Sequence, residues 1–234
     1  MSEAAPILEG YEDILILEDA IEFAENPEPR CACVLLLDTS GSMKGAPINA
    51  LNEGLRIFRD ELNKDSLAQK RVEVSIVTFD SHVNIVQDFV TADKFVPPTL
   101  KAQGRTHMGA AINEALEMLQ TRKAQYRANG VVYYRPWVFM ITDGEPQGES
   151  DHVIEEAAQN LKAAEAGKQV AFFAVGVERA NMKRLGEIAP RAPIKLKRLN
   201  FVDMFIWLSA SMQRVSHSKT DQQVALPPPG WGTV

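Results

Sequence analysis

The 234-residue chain lacks several features that mark common classes of protein. It has only two cysteines, Cys31 and Cys33, and a strand would place both on one face. This excludes an ordinary disulfide between them and a complete cysteine metal site. No apolar run approaches the roughly 18 to 20 residues that span a bilayer. The first residues are acidic, whereas a secretory signal begins with basic ones. We therefore expect a cytoplasmic protein that does not enter a membrane.

Motifs for nucleotide binding and for serine hydrolysis are also missing. The chain contains neither Gly-x-x-x-x-Gly-Lys-Ser/Thr nor Gly-x-Gly-x-x-Gly. Ser42 does not lie in a Gly-x-Ser-x-Gly frame, because Ser40 and Lys44 stand where glycines are required. The formal net charge of −6 argues against a nucleic-acid partner, which usually requires a basic face. A content of 45% hydrophobic and 24% charged residues is typical of a globular protein with a core.

The composition divides the chain into three parts. Residues 1–28 form an acidic extension, which we expect to pack on the domain. Its short apolar segment, residues 14–17, fits a strand or a short helix equally well. Residues 29–215 form one domain. Residues 216–234 are polar and then proline-rich, which predicts a flexible tail.

Within the domain, strand patterns alternate with helix patterns. Three nearly continuous apolar runs predict buried strands, at residues 31–37, 137–142 and 170–175. Residues 72–79 and 82–89 predict a hairpin around Asp80 and Ser81, and residues 194–196 a short strand. Apolar stripes at helical spacing predict helices after Pro47, from about Met108, near residues 151–166 and 181–188, and from Phe201.

This order predicts an α/β fold of the doubly wound, Rossmann-like kind. We expect a mostly parallel six-stranded sheet with one antiparallel edge strand and helices on both faces. In such open sheets, ligands bind beyond the carboxyl ends of the strands, where the strand order reverses. The functional residues are therefore to be sought in the loops that follow the strands.

Three loops carry polar residues at this kind of position. Their sequences are DTSGS after the first buried strand, GRTHM before the second long helix and TDGEP after the strand WVFMIT. Asp38 and Asp143 stand where apolar strands end, and a buried, unpaired carboxylate there would be costly. Taken alone, the first loop also fits a helix cap, because Asp and Ser satisfy helix N-terminal amides well.

Considered together, the loops indicate a site for one divalent cation. The candidate ligands all offer oxygen, as Mg²⁺ prefers, and they are Asp38, Ser40, Ser42, Thr106 and Asp143. Mn²⁺ and Ca²⁺ are alternatives to Mg²⁺. Because the three hydroxyls are neutral, the ion would remain Lewis acidic and keep an open coordination position. A carboxylate from a protein partner would suit that position.

The segments LLLDTSGSM, GRTHMG and VFMITDGEP together resemble the von Willebrand factor A family. The resemblance covers about residues 30–215. The metal-ion-dependent adhesion site of that family has the pattern Asp-x-Ser-x-Ser with a separate Thr and a separate Asp, and all five positions match. The resemblance implies the fold named above and a binding function. It also implies that the two serines and the threonine contact the metal directly, with the aspartates acting partly through water.

Within this family, the segments LLLDTSGSMKGAPI and RPWVFMITDGEP look most like the bacterial TerY/YegL-type proteins of tellurium-resistance and stress operons. This closer resemblance implies a cytoplasmic, non-enzymatic adaptor whose partner, a kinase or a phosphatase, supplies an acidic residue to the metal. The alternative is a Mg²⁺-dependent phosphatase or phosphotransferase with Asp38 as nucleophile. That chemistry usually requires a second aspartate two positions later, where this chain has Ser40.

Overall fold

A computed structural model describes residues 20–233 and contains one seven-stranded sheet with the strand order β3-β2-β1-β4-β5-β6-β7. Strands β1, β2, β4, β5 and β6 are parallel, while β3 and β7 run antiparallel to their neighbours at the two edges. The strand bounds are β1 Cys31–Asp38, β2 Val72–Phe79, β3 Val83–Thr91, β4 Trp137–Thr142, β5 Ala171–Gly176, β6 Ile194–Leu196 and β7 Gly232–Thr233. The predicted α/β class is confirmed, with one strand more than expected.

Seven helices are described, and the longer ones cover both faces of this sheet. Their bounds are α1 residues 20–25, α2 Ala46–Leu62, α3 Ala68–Arg71, α4 Met108–Ala128, α5 Asp151–Ala166, α6 Met182–Ile188 and α7 Phe201–Ser216. Helices α2 and α7 pack on one face, and α4 and α5 pack on the other. The short helix α3 between α2 and β2 was not predicted.

The central strand β1 shows why its sequence is apolar throughout. Successive side chains of a strand point to opposite faces. Cys33, Leu35 and Leu37 therefore contact the core beneath α2 and α7, whereas Val34 and Leu36 contact the core beneath α4 and α5. Both cysteines are buried and unbridged, as expected.

Helices α2 and α7 approach each other closely at Gly54. A Cβ added at this glycine would lie 2.5 Å from the Phe205 ring, which is too short for a van der Waals contact. The absence of a side chain at Gly54 thus allows the two helices to pack closely on the sheet.

The predicted hairpin is confirmed, since β2 and β3 pair antiparallel across the turn at Asp80 and Ser81. Strand β2 differs in one respect from its alternating sequence, because its polar residues are buried as well. Ser75 donates a hydrogen bond to the Gln87 carbonyl oxygen (2.9 Å), and Glu73 lies in a buried ion-pair network.

The C-terminal residues 216–233, for which a flexible tail is predicted, are attached to the domain at their far end. Trp231 is 3% exposed and packs against Trp207, with ring centroids 5.6 Å apart. The Trp207 indole N–H donates to the Pro227 carbonyl oxygen (2.7 Å), and β7 then pairs with β6. The burial of one large aromatic ring and the added strand hold a segment whose composition alone suggests disorder.

At the other end of the chain, the described part of the acidic extension packs on the domain. Phe23 of α1 is buried against Tyr126, with ring centroids 5.7 Å apart, and Glu22 forms an ion pair with Arg122 (3.0 Å). The apolar segment 14–17 and the rest of residues 1–19 lie outside the described residues.

The sheet topology determines where the functional loops meet. The order reverses at β1, since β2 lies on one side of it and β4 on the other. Leu37 pairs with Ile141, so β1 and β4 end side by side. The loops that carry Asp38 and Asp143 therefore open into the same crevice, as open α/β sheets lead one to expect.

Candidate metal centre

Backbone hydrogen bonds hold the first two loops together at the carboxyl edge of the sheet. The loop after β1 contains a 3₁₀ turn, Gly41–Met43. The Gly41 N–H donates to the Gly104 carbonyl oxygen (3.1 Å), and the Gln103 N–H donates to that of Thr39 (2.7 Å). The Thr39 N–H donates in turn to the Phe79 carbonyl oxygen (2.9 Å) at the end of β2. The Asp-x-Ser-x-Ser loop thus has a fixed position relative to the loop before α4.

The third loop is attached to the second in the same way. Thr106 and Gln147 exchange two backbone hydrogen bonds, of 3.2 and 2.9 Å. The His107 N–H donates to the Asp80 carbonyl oxygen (2.9 Å), which anchors the second loop on the β2–β3 turn. All three loops therefore form one connected framework around the crevice.

Asp38 lies at the bottom of this crevice and is 0% exposed. Its Oδ1 accepts the Ser40 N–H (2.8 Å), and its Oδ2 accepts the Thr142 hydroxyl (2.5 Å). No Lys, Arg or His side chain within residues 20–233 forms an ion pair with it. Burial raises the pKa of Asp38 to about 6, against the hydrogen bonds from Ser40 and Thr142, and the nearby charge of Asp143 raises it further.

Asp143 closes the crevice through a chain of hydroxyls. The Ser40 and Ser42 hydroxyl oxygens are 3.0 Å apart, and the Ser42 hydroxyl donates to Asp143 Oδ1 (2.7 Å). Burial raises the pKa of Asp143 although the Ser42 hydroxyl lowers it, and the charge of Glu178 raises it further. The two aspartates thus share one hydrogen-bonded group of oxygen atoms.

Thr106 joins this group from the second loop and is 3% exposed. The surroundings of Gly144 show the convergence, because a Cβ built on this residue of the third loop would meet oxygen atoms from the other two loops. Thr106 Oγ1 would lie at 3.6 Å, and Asp38 Oδ2 and Ser42 Oγ would each lie at 3.9 Å. The structure therefore brings together all five residues that the sequence singled out.

The composition of this group fits a hard divalent cation. It supplies two carboxylates and three hydroxyls, and such oxygen ligands are those that Mg²⁺ prefers. Within residues 20–233, no three His, Cys, Asp or Glu side chains come together as a metal-binding group. Any cation here would thus be held by Asp38 and Asp143 with neutral hydroxyls completing the set.

Helix capping does not account for these residues. Helix α2 follows Gly45 and has no side-chain cap, so the Asp38–Ser42 loop does not cap it. The first amides of α4 are bonded by Glu149, whose carboxylate accepts the N–H groups of Gly109 (2.7 Å) and Ala110 (3.1 Å). The alternative reading of the first loop as a cap is therefore wrong.

Comparison with protein families assigns the fold. A model of the von Willebrand factor type A domain matches residues 33–203, which is most of the chain. The chain belongs to the von Willebrand factor A (VWA) family. The matched region contains all five residues of the candidate centre. No curated protein sequence matches the chain significantly.

Solved structures support the VWA assignment at the level of the fold. A von Willebrand factor type A protein from Catenulispora acidiphila has a TM-score of 0.63 at 17% identity, covering 80% of this chain and 43% of its own. The pilus adhesin SpaC from Lactobacillus rhamnosus GG has a TM-score of 0.63 at 15% identity, covering 80% and 30%. The PilB minor pilin from Streptococcus sanguinis has a TM-score of 0.59 at 14% identity, covering 80% and 62%. The VWA domain thus spans less than two thirds of each of these proteins.

Three residues that support the site were not singled out from the sequence. Thr142 donates to Asp38, Gln147 pairs with Thr106, and Glu149 holds the start of α4. Thr142 directly precedes Asp143 and ends β4, which is a local signal for its role. The positions of Gln147 and Glu149 depend on a fold-level contact between two loops about 40 residues apart, for which the sequence has no local signal.

The rim of the VWA crevice carries exposed charges of both signs. Lys44, Arg105 and Glu145 are exposed, and Glu145 accepts a hydrogen bond from the Asn181 side chain. None of the helices described between residues 20 and 233 is long and apolar enough to cross a membrane.

Proposed function

We propose that this VWA domain is a metal-dependent protein-binding module with a metal-ion-dependent adhesion site. Asp38, Ser40, Ser42, Thr106 and Asp143 would hold one Mg²⁺, Mn²⁺ or Ca²⁺ ion. The observation that carries the proposal is the buried Asp38 carboxylate, which lacks a cationic partner within the described residues and lies beside converging hydroxyls. A buried charge is stable only when it is paired, and a divalent cation would supply the pair.

The ligand set determines what the ion would bind next. Only two of the five ligands carry charge, so the bound ion would remain electrophilic. Ser42 is exposed at the mouth of the crevice, which gives a partner direct access to the group. A carboxylate from an acidic residue of a partner protein suits such an open position, because hard cations prefer oxygen ligands.

We further propose that the domain acts as a cytoplasmic adaptor in a bacterial stress or tellurium-resistance system. The support is the likeness of LLLDTSGSMKGAPI and RPWVFMITDGEP to the TerY/YegL-type proteins. A kinase or a phosphatase is the kind of partner that this likeness suggests.

The geometry favours binding over phosphoryl transfer. Both carboxylate oxygens of Asp38 accept hydrogen bonds, and the side chain is fully buried, so neither oxygen is exposed to a substrate. Ser40 occupies the position where the transfer reaction requires a second aspartate. We therefore propose that Asp38 binds metal and is not a nucleophile.

The test is thermal unfolding of chelator-treated protein titrated with Mg²⁺, Mn²⁺ and Ca²⁺. A cation that binds only the native state raises the melting temperature once its concentration passes the dissociation constant. Asp38→Ala and Asp143→Ala should each abolish the rise. Asp93→Ala, which removes an exposed aspartate far from the crevice, is the matched control and should retain it.

The proposed site would be contradicted if metal raised the melting temperature of Asp38→Ala or Asp143→Ala, or failed to raise that of the wild type. If the rise is seen, partner binding follows as a comparison of capture in Mg²⁺ and in chelator. Capture that is equally strong in both would contradict the metal-dependent function while leaving the site in place.

A further inference from the structure

A second cleft lies at the pole of the domain opposite the metal loops. It has a volume of about 1070 Å³ and lies between the second half of α4, the segment before β4, the turn before β5 and the first residues of the C-terminal tail. Its charged and aromatic lining consists of Lys123, Arg127, Tyr133, Arg135, Lys168 and Asp221. The domain therefore has a large open cleft that its metal site does not use.

The charge of this cleft is opposite to that of the chain. Four cationic side chains and one carboxylate line it, whereas the chain as a whole has a formal net charge of −6. Arg135 has a carboxylate nearby, that of Glu165 at 3.8 Å. Lys123, Arg127 and Lys168 form no ion pair with any carboxylate within residues 20–233. The cleft thus concentrates unneutralised positive charge on an acidic protein.

Contacts within the fold position two of these cations. The Lys123 ammonium lies 3.5 Å from the Gln169 carbonyl oxygen, and Arg127 donates to the Tyr133 hydroxyl (3.1 Å). Burial, and next the charge of Arg127, lower the pKa of Lys123. Since like charges repel and burial disfavours an unpaired charge, an anion in the cleft would relieve both effects.

We propose that this basic cleft binds an acidic, Asp- and Glu-rich segment of a protein partner. Its size is at the upper end for small-ligand sites and admits a short stretch of polypeptide. Nucleic acid fits less well, because a nucleic-acid footprint is an extended basic stripe or face, whereas the basic charge here is confined to one cleft. The opposite charges of cleft and segment would steer and orient the partner.

This cleft is separate from the metal centre and does not depend on it. Strand β4 connects the two, with Pro136 at the cleft and Asp143 at the crevice, so they lie about 20 Å apart. A module with one site at each pole can hold two acidic partners at once. This would give an adaptor function a physical basis in the fold.

The test is fluorescence anisotropy of a labelled Glu-Gly repeat peptide, at low ionic strength and in the presence of chelator. Saturable binding is expected for the full chain. The double variant Lys123→Glu/Lys168→Glu should weaken it by about tenfold or more, since two attractive charges become repulsive. Lys123→Arg/Lys168→Arg should restore it. Lys183→Glu/Lys195→Glu, which makes the same change of charge at exposed sites elsewhere, should bind as the wild type does.

Melting temperatures of all variants check that the fold is intact. Absence of saturable binding, or an equal loss in the control double variant, would overturn the proposal. A single-stranded oligonucleotide that competes as well as an acidic peptide of the same charge would also overturn it, in favour of nucleic acid. Asp143→Ala should leave peptide binding unchanged, so failure here is distinguishable from failure of the metal site.

Discussion

Two carboxylates are completely buried, one near the start and one at the end of the parallel strands. Their negative charges are compensated in different ways. Glu73, at the start of β2, is 0% exposed and forms ion pairs with Arg30 (2.8 Å) and Arg122 (3.0 Å). Its other oxygen accepts the Tyr126 hydroxyl. Asp38, at the end of β1, is also 0% exposed, yet its partners are one amide and one hydroxyl.

This difference separates a structural carboxylate from a binding one. Burial alone would lower the pKa of Arg122, but the charge and hydrogen bonds of Glu73, together with the charges of Tyr126 and Glu22, outweigh burial and raise it. The Glu73 network is thus electrically complete within the chain. At Asp38 the chain supplies no cation among the described residues, and burial raises the carboxylate pKa. The Glu73 network stabilises the fold, whereas Asp38 leaves a charge for an external cation to neutralise.

The largest expected change in the free energy of unfolding is at Glu73. Glu73→Ala would leave Arg30 and Arg122 buried without their main partner, which should lower the free energy of unfolding by about 3–5 kcal/mol. Urea denaturation measures this change. Glu53→Ala, which removes an exposed partner of Arg56, should cost less than about 1 kcal/mol. Equal losses of stability in Glu73→Ala and Glu53→Ala would show that the buried Glu73 network does not stabilise the fold.

The next largest expected change in the free energy of unfolding has the opposite sign and is at Asp38, in the candidate metal centre. Because the folded pKa of Asp38 is about 6 against an ordinary value of 3.8, its ionised form destabilises the metal-free fold at neutral pH. Asp38→Asn should therefore raise the stability of the chelated protein by about 2–3 kcal/mol. It should also abolish the response to Mg²⁺.

The pH dependence of this gain checks its cause. Asp38 binds its proton more tightly in the folded chain, so lowering the pH through about 6 stabilises the metal-free wild type. The advantage of Asp38→Asn should therefore shrink over this interval and vanish below about pH 4. Denaturant midpoints across this range measure it. An advantage that does not change with pH would assign the gain to packing and not to charge.

The smallest of these expected changes in stability is in the C-terminal tail, which takes part in neither the Glu73 network nor the candidate metal centre. Trp231→Ala should lower stability by about 2 kcal/mol, less than the roughly 3–5 kcal/mol usual for a buried aromatic residue, because a terminal segment can detach locally. Trp231→Phe should cost less, since the Trp231 indole N–H has no hydrogen-bond acceptor among the described residues. Thermal melts compare the two. Wild-type stability in Trp231→Ala would show that the tail contributes nothing to the fold.

The sequence predicted those parts of the molecule that have a local pattern. Apolar runs gave the buried strands, and an aspartate at the end of β1, together with another directly after β4, located the crevice. The five residues of the candidate centre are recognisable because each lies at the end of a strand or in a loop that follows a strand or precedes a helix. Topology then brings these ends together.

Other parts depend on contacts between residues far apart in the chain. Glu73 meets Arg30 across 43 residues and Arg122 across 49, and nothing local marks these residues as partners. The attachment of the tail is likewise not visible in its proline-rich composition, because it depends on the burial of Trp231 against Trp207. Such pairings become visible only in the folded chain.

Calorimetric titration of Mg²⁺ and Mn²⁺ into chelator-treated wild type and Asp38→Asn shows whether the buried Asp38 carboxylate holds a cation. We expect one ion per chain for the wild type and no binding for the variant, although the variant folds and is the more stable of the two without metal. Binding of equal strength in both proteins would show that the buried carboxylate of Asp38 does not hold the cation. The contrast between Glu73 as a structural carboxylate and Asp38 as a metal-binding one would then be wrong.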